Sequence, residues 1–104
     1  MTVKLALLKS GELLISDIKE LVSGEGEDGK KVYGYLFINP KKVDMSSPLF
    51  LKEDSDLESS VQVSLSSWII ISKDKEFAIP KNWVVTIMEP VDRLSAMYQE
   101  FLND

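Results

Sequence analysis

A short turn near the end of the chain carries the side chains best suited to binding a ligand. The stretch "FAIPKNWVVTIM", residues 77–88, places Lys81 and Asn82 between two apolar, strand-forming runs. A lysine ammonium and an asparagine amide are groups that a ligand could contact through charge and hydrogen bonds. The same residues have a simpler interpretation, in which Pro80 and Asn82 only form the turn and Lys81 is a solvated charge.

A second basic segment lies in the middle of the chain. "NPKK", residues 39–42, contributes Asn39, Lys41 and Lys42, and the aromatic run "VYGYLF" precedes it at residues 32–37. Aromatic rings stack on nucleobases, so this segment is a secondary candidate for nucleic-acid binding. Aromatic residues on a strand are also common in cores and interfaces, which is the competing interpretation.

The residue types that are commonest in catalytic and metal sites are either missing or do not follow the spacing of a known motif. The chain contains no histidine and no cysteine, which excludes zinc sites built from these ligands and Ser-His-Asp triads. Residues 53–58, "EDSDLE", hold several carboxylates but lack the glycine of a calcium-binding loop, so a solvated acidic loop is the better interpretation. We expect a protein that is not an enzyme and that has no cofactor or metal.

The composition is typical of one soluble domain, residues 1–104, with a single core. The net charge of −5 disfavours a general electrostatic attraction to nucleic acid, so any such binding needs a local basic patch. The N-terminal residues show no signal-peptide pattern, and no run reaches the roughly 18 apolar residues of a membrane span. We therefore expect a cytoplasmic protein without membrane contact.

Alternating apolar residues predict strands over most of residues 2–88. The alternation of residues 3–7 leads through "KSGE", with Gly11, into "LLISDIKELV", which is typical of a hairpin. "VYGYLFIN", residues 61–66, "WIIIS", "FAIP" and "WVVTIM" are predicted as further strands. The glycine-rich "SGEGEDGKK" and the long stretch over residues 40–60 are predicted as irregular loops. Several short strands with polar turns indicate an all-β barrel or sandwich.

The last segment predicts a helix over residues 90–102. Pro90 stands where a helix tolerates proline, at its first turn. Apolar residues follow at helical spacing, namely Val91, Leu94, Met97, Tyr98, Phe101 and Leu102. We expect this face to pack across the open mouth of the barrel, with docking of a partner as the alternative.

Two uncharged, β-prone windows indicate how the domain assembles. "WIIIS" and "WVVTIM" would aggregate if they lay at open sheet edges, so they must be covered or paired. Closure of one barrel would achieve this, as would head-to-tail strand pairing between identical subunits. We favour the second arrangement, a cyclic homo-oligomer.

The quoted turn resembles a motif of Sm and LSm proteins, in which a strand, a short basic turn and a final aliphatic strand follow each other. Ile79 and Asn82 match the first and last residues of that turn, while Pro80 and Lys81 replace its arginine and glycine. "VKLALLKSGELL" is similar to the family's first hairpin. "LLKSGE", "YLFINPKKVDM" and "SWIIISKDKEFAIPKNWVVTIMEPVDRL" together resemble small Sm-like proteins of cyanophages and marine metagenomes.

This resemblance implies a strongly bent, five- or six-stranded Sm-like (SH3-like) small barrel, with a C-terminal helix added, and a ring oligomer. It also implies that the turns before the last strand converge on a pore that holds single-stranded RNA, with Lys81 and Asn82 as the contact residues. We expect a ring protein that binds single-stranded nucleic acid, RNA more than DNA, in RNA or DNA processing. The alternative is a non-catalytic structural or protein-interaction module of phage origin, located in the host cytoplasm, that acts through sheet edges or the helix.

Overall fold

The computed structural model describes residues 2–24, 31–46 and 62–103, and the predicted loops at 25–30 and 47–60 lie outside these ranges. The described elements are six strands, β1 (Val3–Leu8), β2 (Leu13–Ser23), β3 (Lys31–Ser46), β4 (Gln62–Ser67), β5 (Glu76–Pro80) and β6 (Val84–Met88), a 3-10 turn (Lys81–Trp83) and the helix α1 (Asp92–Asn103). Within these ranges the one α-helix is too short to span a membrane.

All strand pairs are antiparallel, and β1 to β4 follow each other in the sheet in chain order. The spatial order is β4-β3-β2-β1-β6, while β5 pairs with β3. The β1–β2 hairpin forms at the predicted glycine, because Gly11 adopts a φ of 91° that suits residues without a Cβ. Its N–H donates to the Leu8 carbonyl at 2.9 Å.

The long strand β3 has two different partners along its length. Residues 34–38 of β3 pair with β5, and residues 41–46 pair with β4. Asn39, between these halves, has a φ of 52°, which interrupts the extended backbone. β4 and β5 therefore lie one after the other along one side of β3.

The predicted mainly β architecture with a C-terminal helix is confirmed, and the sheet is bent but not closed. Bulges interrupt the β2–β3 register between Ile15 and Asp17 and between Leu21 and Val22. In the described part of the chain, β6 pairs only with β1 and β5 pairs only with β3, so no strand pair joins the two ends of the sheet.

The sheet is buried on both faces of its centre. One cluster consists of Ala6, Leu8, Leu14, Ile18, Phe37 and Ile79. On the other face, Ile15 and Val43 pack with the helix residues Leu94 and Tyr98. This double burial explains why five consecutive residues of β2, 14–18, are buried, although a strand with one solvated face would alternate.

The helix begins two residues later than predicted and is anchored through one buried side chain. The Ser95 N–H donates to the Val91 carbonyl at 3.1 Å, and α1 runs from Asp92 to Asn103. Tyr98 is fully buried, and its hydroxyl lies 3.1 Å from the Ile38 carbonyl and 3.0 Å from the Asn39 carbonyl. The helix therefore packs against the bend of β3.

The prediction of a strand at "WIIIS" is wrong. β4 ends at Ser67, and residues 68–75 form bends and turns. The physical reason lies in β3, because Asn39 donates its N–H to the Lys75 carbonyl at 2.7 Å and Pro40 has no N–H to donate. A strand at residues 69–71 would find no hydrogen-bond ladder there.

The prediction of an irregular stretch over residues 40–60 is wrong for its first part. Residues 40–46 continue β3, with Val43 buried against the helix side of the sheet. Pro40 and the following lysines suggested a loop, but Leu14 and Ile15 of β2 pair with Lys42 and Lys41. Pairing with both neighbours therefore overrides the local turn propensity.

Candidate functional site

The turn that contains Lys81 and Asn82 projects from the end of β5. Pro80 is the last residue of that strand and pairs with Gly34 of β3. Its φ of −59° and ψ of 145° lead into the single 3-10 turn Lys81–Trp83. The Val84 N–H closes the turn by donating to the Lys81 carbonyl. The turn is thus shaped by its backbone, which leaves its side chains available to a ligand.

A second turn lies beside the first. The Lys9 N–H donates to the Trp83 carbonyl at 2.9 Å, which ties the β1–β2 hairpin to the 3-10 turn. Lys9, Lys81, Asn82 and Trp83 are all exposed, with 45% of Trp83 accessible to solvent. We call these four residues the turn cluster. It offers two cations, an amide and an indole ring. Such groups can contact the phosphates and bases of single-stranded nucleic acid.

Two members of the turn cluster were not predicted from the sequence. Trp83 was assigned to the strand "WVVTIM", although a tryptophan directly after a polar turn is the signal that could have marked it. Lys9 lies 72 residues before Lys81 in the chain, and the β1–β6 pairing brings its turn to the cluster. Only the tertiary structure supplies this neighbour.

The second predicted segment, residues 39–42, has a largely structural environment. Asn39 provides the backbone bend of β3, and Pro40 is buried. The Lys41 Nζ lies 4.7 Å from the centre of the Phe101 ring, in cation–π geometry, and Lys42 is half-buried. The Lys41 side chain is therefore engaged within the fold.

The aromatic residues before this segment do not form a common stacking surface. Phe37 is fully buried in the core, and Tyr35 packs against that core. Tyr33 alone among the aromatics of residues 32–37 is largely exposed, at 57%. The core interpretation of this run is therefore the better one for two of its three rings.

A cleft opens beside Asn39 and Lys41, between β3 and residues 67–77. Its volume is about 260 Å³. Its charged lining residues are Lys41, Lys73, Asp74 and Lys75. Lys42 is not among these lining residues, so the cleft receives one of the two predicted lysines. We call this feature the lysine cleft.

The structure does not bring the two predicted segments together. Ile38, next to Asn39, pairs with Glu76 at the start of β5, whereas Lys81 follows the end of that strand. The five residues of β5 span about 13 Å at the usual rise of a strand. The turn cluster and the lysine cleft are therefore separate features.

Asn39 is expected to matter through its backbone conformation. Asn39→Val should lower the free energy of unfolding by about 1–3 kcal/mol, because a β-branched residue is strained at positive φ. Asn39→Gly should cost less than about 1 kcal/mol, since glycine adopts this φ freely. Urea denaturation of both variants measures the difference, and equal losses would instead assign the role to the amide side chain.

The described residues show no other constellation that suggests chemistry. They contain no group of three or more acidic residues placed to hold a metal ion. The buried Asp17 carboxylate accepts a hydrogen bond from the Thr2 N–H at 3.1 Å. The Ser16 hydroxyl bonds to the Ile38 carbonyl at 2.9 Å, and every buried side-chain polar atom described has a partner. These groups serve the fold.

Comparison with known proteins assigns the chain to a family without a described activity. The profile of a protein family of unknown function, DUF6561, matches residues 1–103. The comparison with curated proteins gives no match. The family match spans the turn cluster and the lysine cleft alike, so it favours neither as the functional site.

Proposed function

We propose that this chain, which belongs to the DUF6561 family, binds single-stranded nucleic acid, RNA more than DNA, through the turn cluster. The observation that carries the proposal is the exposure of Trp83 beside Lys81 and Asn82 on one short turn. A free indole stacks on any base, and a lysine beside it neutralises a phosphate. No described residue forms a side-chain hydrogen bond or ion pair with Lys81 or Asn82, so neither side chain is committed within the fold.

The charge distribution limits how such binding works. The chain has 12 basic and 17 acidic residues, so a nucleic-acid strand that contacted the whole protein surface would be repelled. Lys9 and Lys81 stand on two turns that are joined by the hydrogen bond from the Lys9 N–H to the Trp83 carbonyl, so both charges belong to adjacent turns. A few phosphate contacts per subunit give weak binding by themselves, and repetition of the cluster in an oligomer strengthens it through avidity.

The proposed assembly is a head-to-tail homo-oligomer of Sm-like subunits. It is supported by the open sheet. Among the described strands, β5 pairs only with β3 and β6 pairs only with β1, so each leaves one edge that a second copy can pair with. The Sm resemblance sets the nucleic-acid contact at the turn before the last strand, which is where the turn cluster lies. A ring would arrange these turns around one axis.

Lys81→Glu is expected to abolish binding of short labelled poly-U and poly-A at low salt, or to weaken it at least about tenfold, because a phosphate contact becomes a repulsion. Fluorescence anisotropy at two salt concentrations measures this. Wild-type affinity should fall steeply as salt rises, since phosphate contacts release counterions.

Lys19→Glu is the matched control, because Lys19 is an exposed lysine in the middle of β2 and its replacement changes the net charge equally. It should retain wild-type affinity. Equal losses in the two variants would attribute the effect to net charge, and unchanged binding by Lys81→Glu would exclude the turn cluster as the site.

The second candidate function is a non-catalytic structural or protein-interaction module. The specific observation in its favour is the exposure of apolar residues between β4 and β5, with Ile70 80% and Ile71 94% accessible. Absence of nucleic-acid binding at low salt, with the oligomer intact, would favour this function.

A further inference from the structure

The lysine cleft is a positively charged pocket on an acidic protein. Three lysines and one aspartate line it, which gives the lining a net charge of +2, whereas the whole chain carries −5. An excess of one sign of charge in a concave site raises the local concentration of counter-ions. The cleft is therefore expected to attract a small anion, although the chain as a whole repels anions.

Contacts within the fold hold the walls of the cleft in place. The Asn39 N–H donates to the Lys75 carbonyl at 2.7 Å, which joins β3 to the segment that forms the other wall. In that segment Trp68 packs edge-on against Phe77, with 5.3 Å between the ring centres, and its indole N–H donates to Glu12 at 2.9 Å. A preformed wall reduces the conformational entropy that is lost when a ligand binds.

The lining supplies several hydrogen-bond donors. The Ser72 hydroxyl oxygen accepts from the Asp74 N–H at 3.0 Å, and its own proton can still donate. The contact with the Phe101 ring holds the Lys41 ammonium beside the cleft. Among the residues that the structure describes, Lys73 and Lys75 form no ion pair. Ammonium and hydroxyl donors together suit an anion with several acceptor oxygens.

The size and charge of the cleft restrict its ligand. Its volume of about 260 Å³ lies just below the roughly 300 Å³ at which pockets for drug-sized ligands begin, so the ligand is small. A phosphate monoester carries about −1.5 to −2 charges at pH 7 and has three acceptor oxygens, which match a lining of +2. The rings of Trp68 and Phe77 add apolar surface to the same lining.

We propose that the lysine cleft binds a phosphate monoester with a small apolar body. This site is separate from the turn cluster, so the inference goes beyond the proposed binding of single-stranded nucleic acid. A phosphodiester inside a strand carries one negative charge and is continued by the chain on both sides. A monoester carries nearly twice that charge and ends at the phosphate, and it can enter a small cleft.

Isothermal titration calorimetry of the full chain with phenyl phosphate tests the proposal. The wild type should bind this dianion. Benzoate and phenol, a monoanion and a neutral molecule with the same ring, should bind at least about tenfold more weakly, because they make fewer charged hydrogen bonds. A short phosphotyrosine peptide identifies the source of the phosphate. Tighter binding of the peptide than of phenyl phosphate would assign the site to a protein side chain and overturn the small ligand.

Variants of the lining should change the affinity for phenyl phosphate in opposite directions. Lys73→Gln with Lys75→Gln should weaken binding at least about tenfold, because two charged donors are lost. Asp74→Asn should strengthen binding about two- to fivefold, because it removes the carboxylate that repels the ligand. A purely structural role of these residues would not produce a gain. Circular dichroism checks folding, and Lys73→Gln alone replaces the double variant if that one does not fold.

The matched control is Lys19→Gln with Lys31→Gln, which changes two exposed lysines outside the cleft and alters the net charge equally. It should bind phenyl phosphate as the wild type does. The chain has two tryptophans, so Trp83→Phe leaves Trp68 as the only one. In that variant phenyl phosphate should change the fluorescence of Trp68, with the affinity that calorimetry gives.

The outcomes separate this inference from the proposed function. Absence of saturable binding at millimolar phenyl phosphate, or equal losses in the cleft variant and the control, would overturn the inference. So would loss of phenyl phosphate binding in Lys81→Glu, which would place the anion at the turn cluster. If the wild type bound phenyl phosphate but not poly-U, the proposed function would fail and the inference would stand.

Discussion

Replacing Tyr98 by alanine is expected to lower the free energy of unfolding by about 3–5 kcal/mol, the usual cost of removing a large buried ring. Tyr98 is fully buried, and its ring fills the space between α1 and the face of the sheet that carries Ile15 and Val43. Its hydroxyl accepts from the Asp17 N–H at 3.3 Å, in addition to its contacts with the two β3 carbonyls. Urea denaturation measures the loss.

Tyr98→Phe separates packing from hydrogen bonding. This variant keeps the ring but removes the partner of three backbone groups, so we expect a loss of about 1–3 kcal/mol. Tyr33→Phe is the matched control, because Tyr33 is largely exposed. This variant should have almost the same free energy of unfolding as the wild type. A Tyr98→Phe variant as stable as the wild type would show that these backbone groups do not depend on the hydroxyl.

The same residue makes the stability of the wild type depend on pH in the alkaline range. Burial raises the pKa of the Tyr98 hydroxyl above its ordinary value of 10.0, and the Asp17 charge adds to this, against the lowering effect of hydrogen bonds from the Asp17 backbone and Ser16. The folded state then binds the phenol proton more tightly than the unfolded state. The contribution of Tyr98 protonation to the free energy of unfolding is therefore present in full below pH 10, and it falls as the pH rises above 10. Tyr98→Phe should lose this part of the pH dependence.

Replacing Gly34 by alanine is expected to lower the free energy of unfolding by about 1–3 kcal/mol. It should also weaken the binding of poly-U by the turn cluster. A Cβ on Gly34 would lie 2.8 Å from the carbonyl oxygen of Ile79, a distance that requires β5 to shift. Because β5 leads directly into the turn Lys81–Trp83, the shift should reach the turn. Urea denaturation and poly-U anisotropy of the same variant measure both effects.

Gly11→Asn is the control for this prediction. A side chain at Gly11 meets nothing within 4 Å, and asparagine tolerates its positive φ better than most residues. We expect a small strain cost of about 1 kcal/mol and unchanged binding. If Gly34→Ala lost stability but kept full affinity for poly-U, the turn would be independent of the position of β5.

Local patterns in the sequence were sufficient for most of the elements. The alternation at residues 3–7, the glycine of the first hairpin and the helical spacing after Pro90 all predicted the observed structure, because each depends on neighbours within a few residues. The polar turn at Lys81 and Asn82 was likewise visible from its composition. Its use in binding remains a prediction.

Tertiary structure decided the features that depend on pairing between distant residues. "WIIIS" has the composition of a strand, yet it becomes an exposed loop because the bend at Asn39 and Pro40 of β3 leaves it no ladder. Residues 41–46 follow a proline and still form a strand, because β2 and β4 pair with them. Lys9 joins Trp83 through the β1–β6 register. The sequence by itself determined which segments could form strands, the helix and turns, whereas the hydrogen-bond partners available in the fold determined which of them did so and which side chains became neighbours.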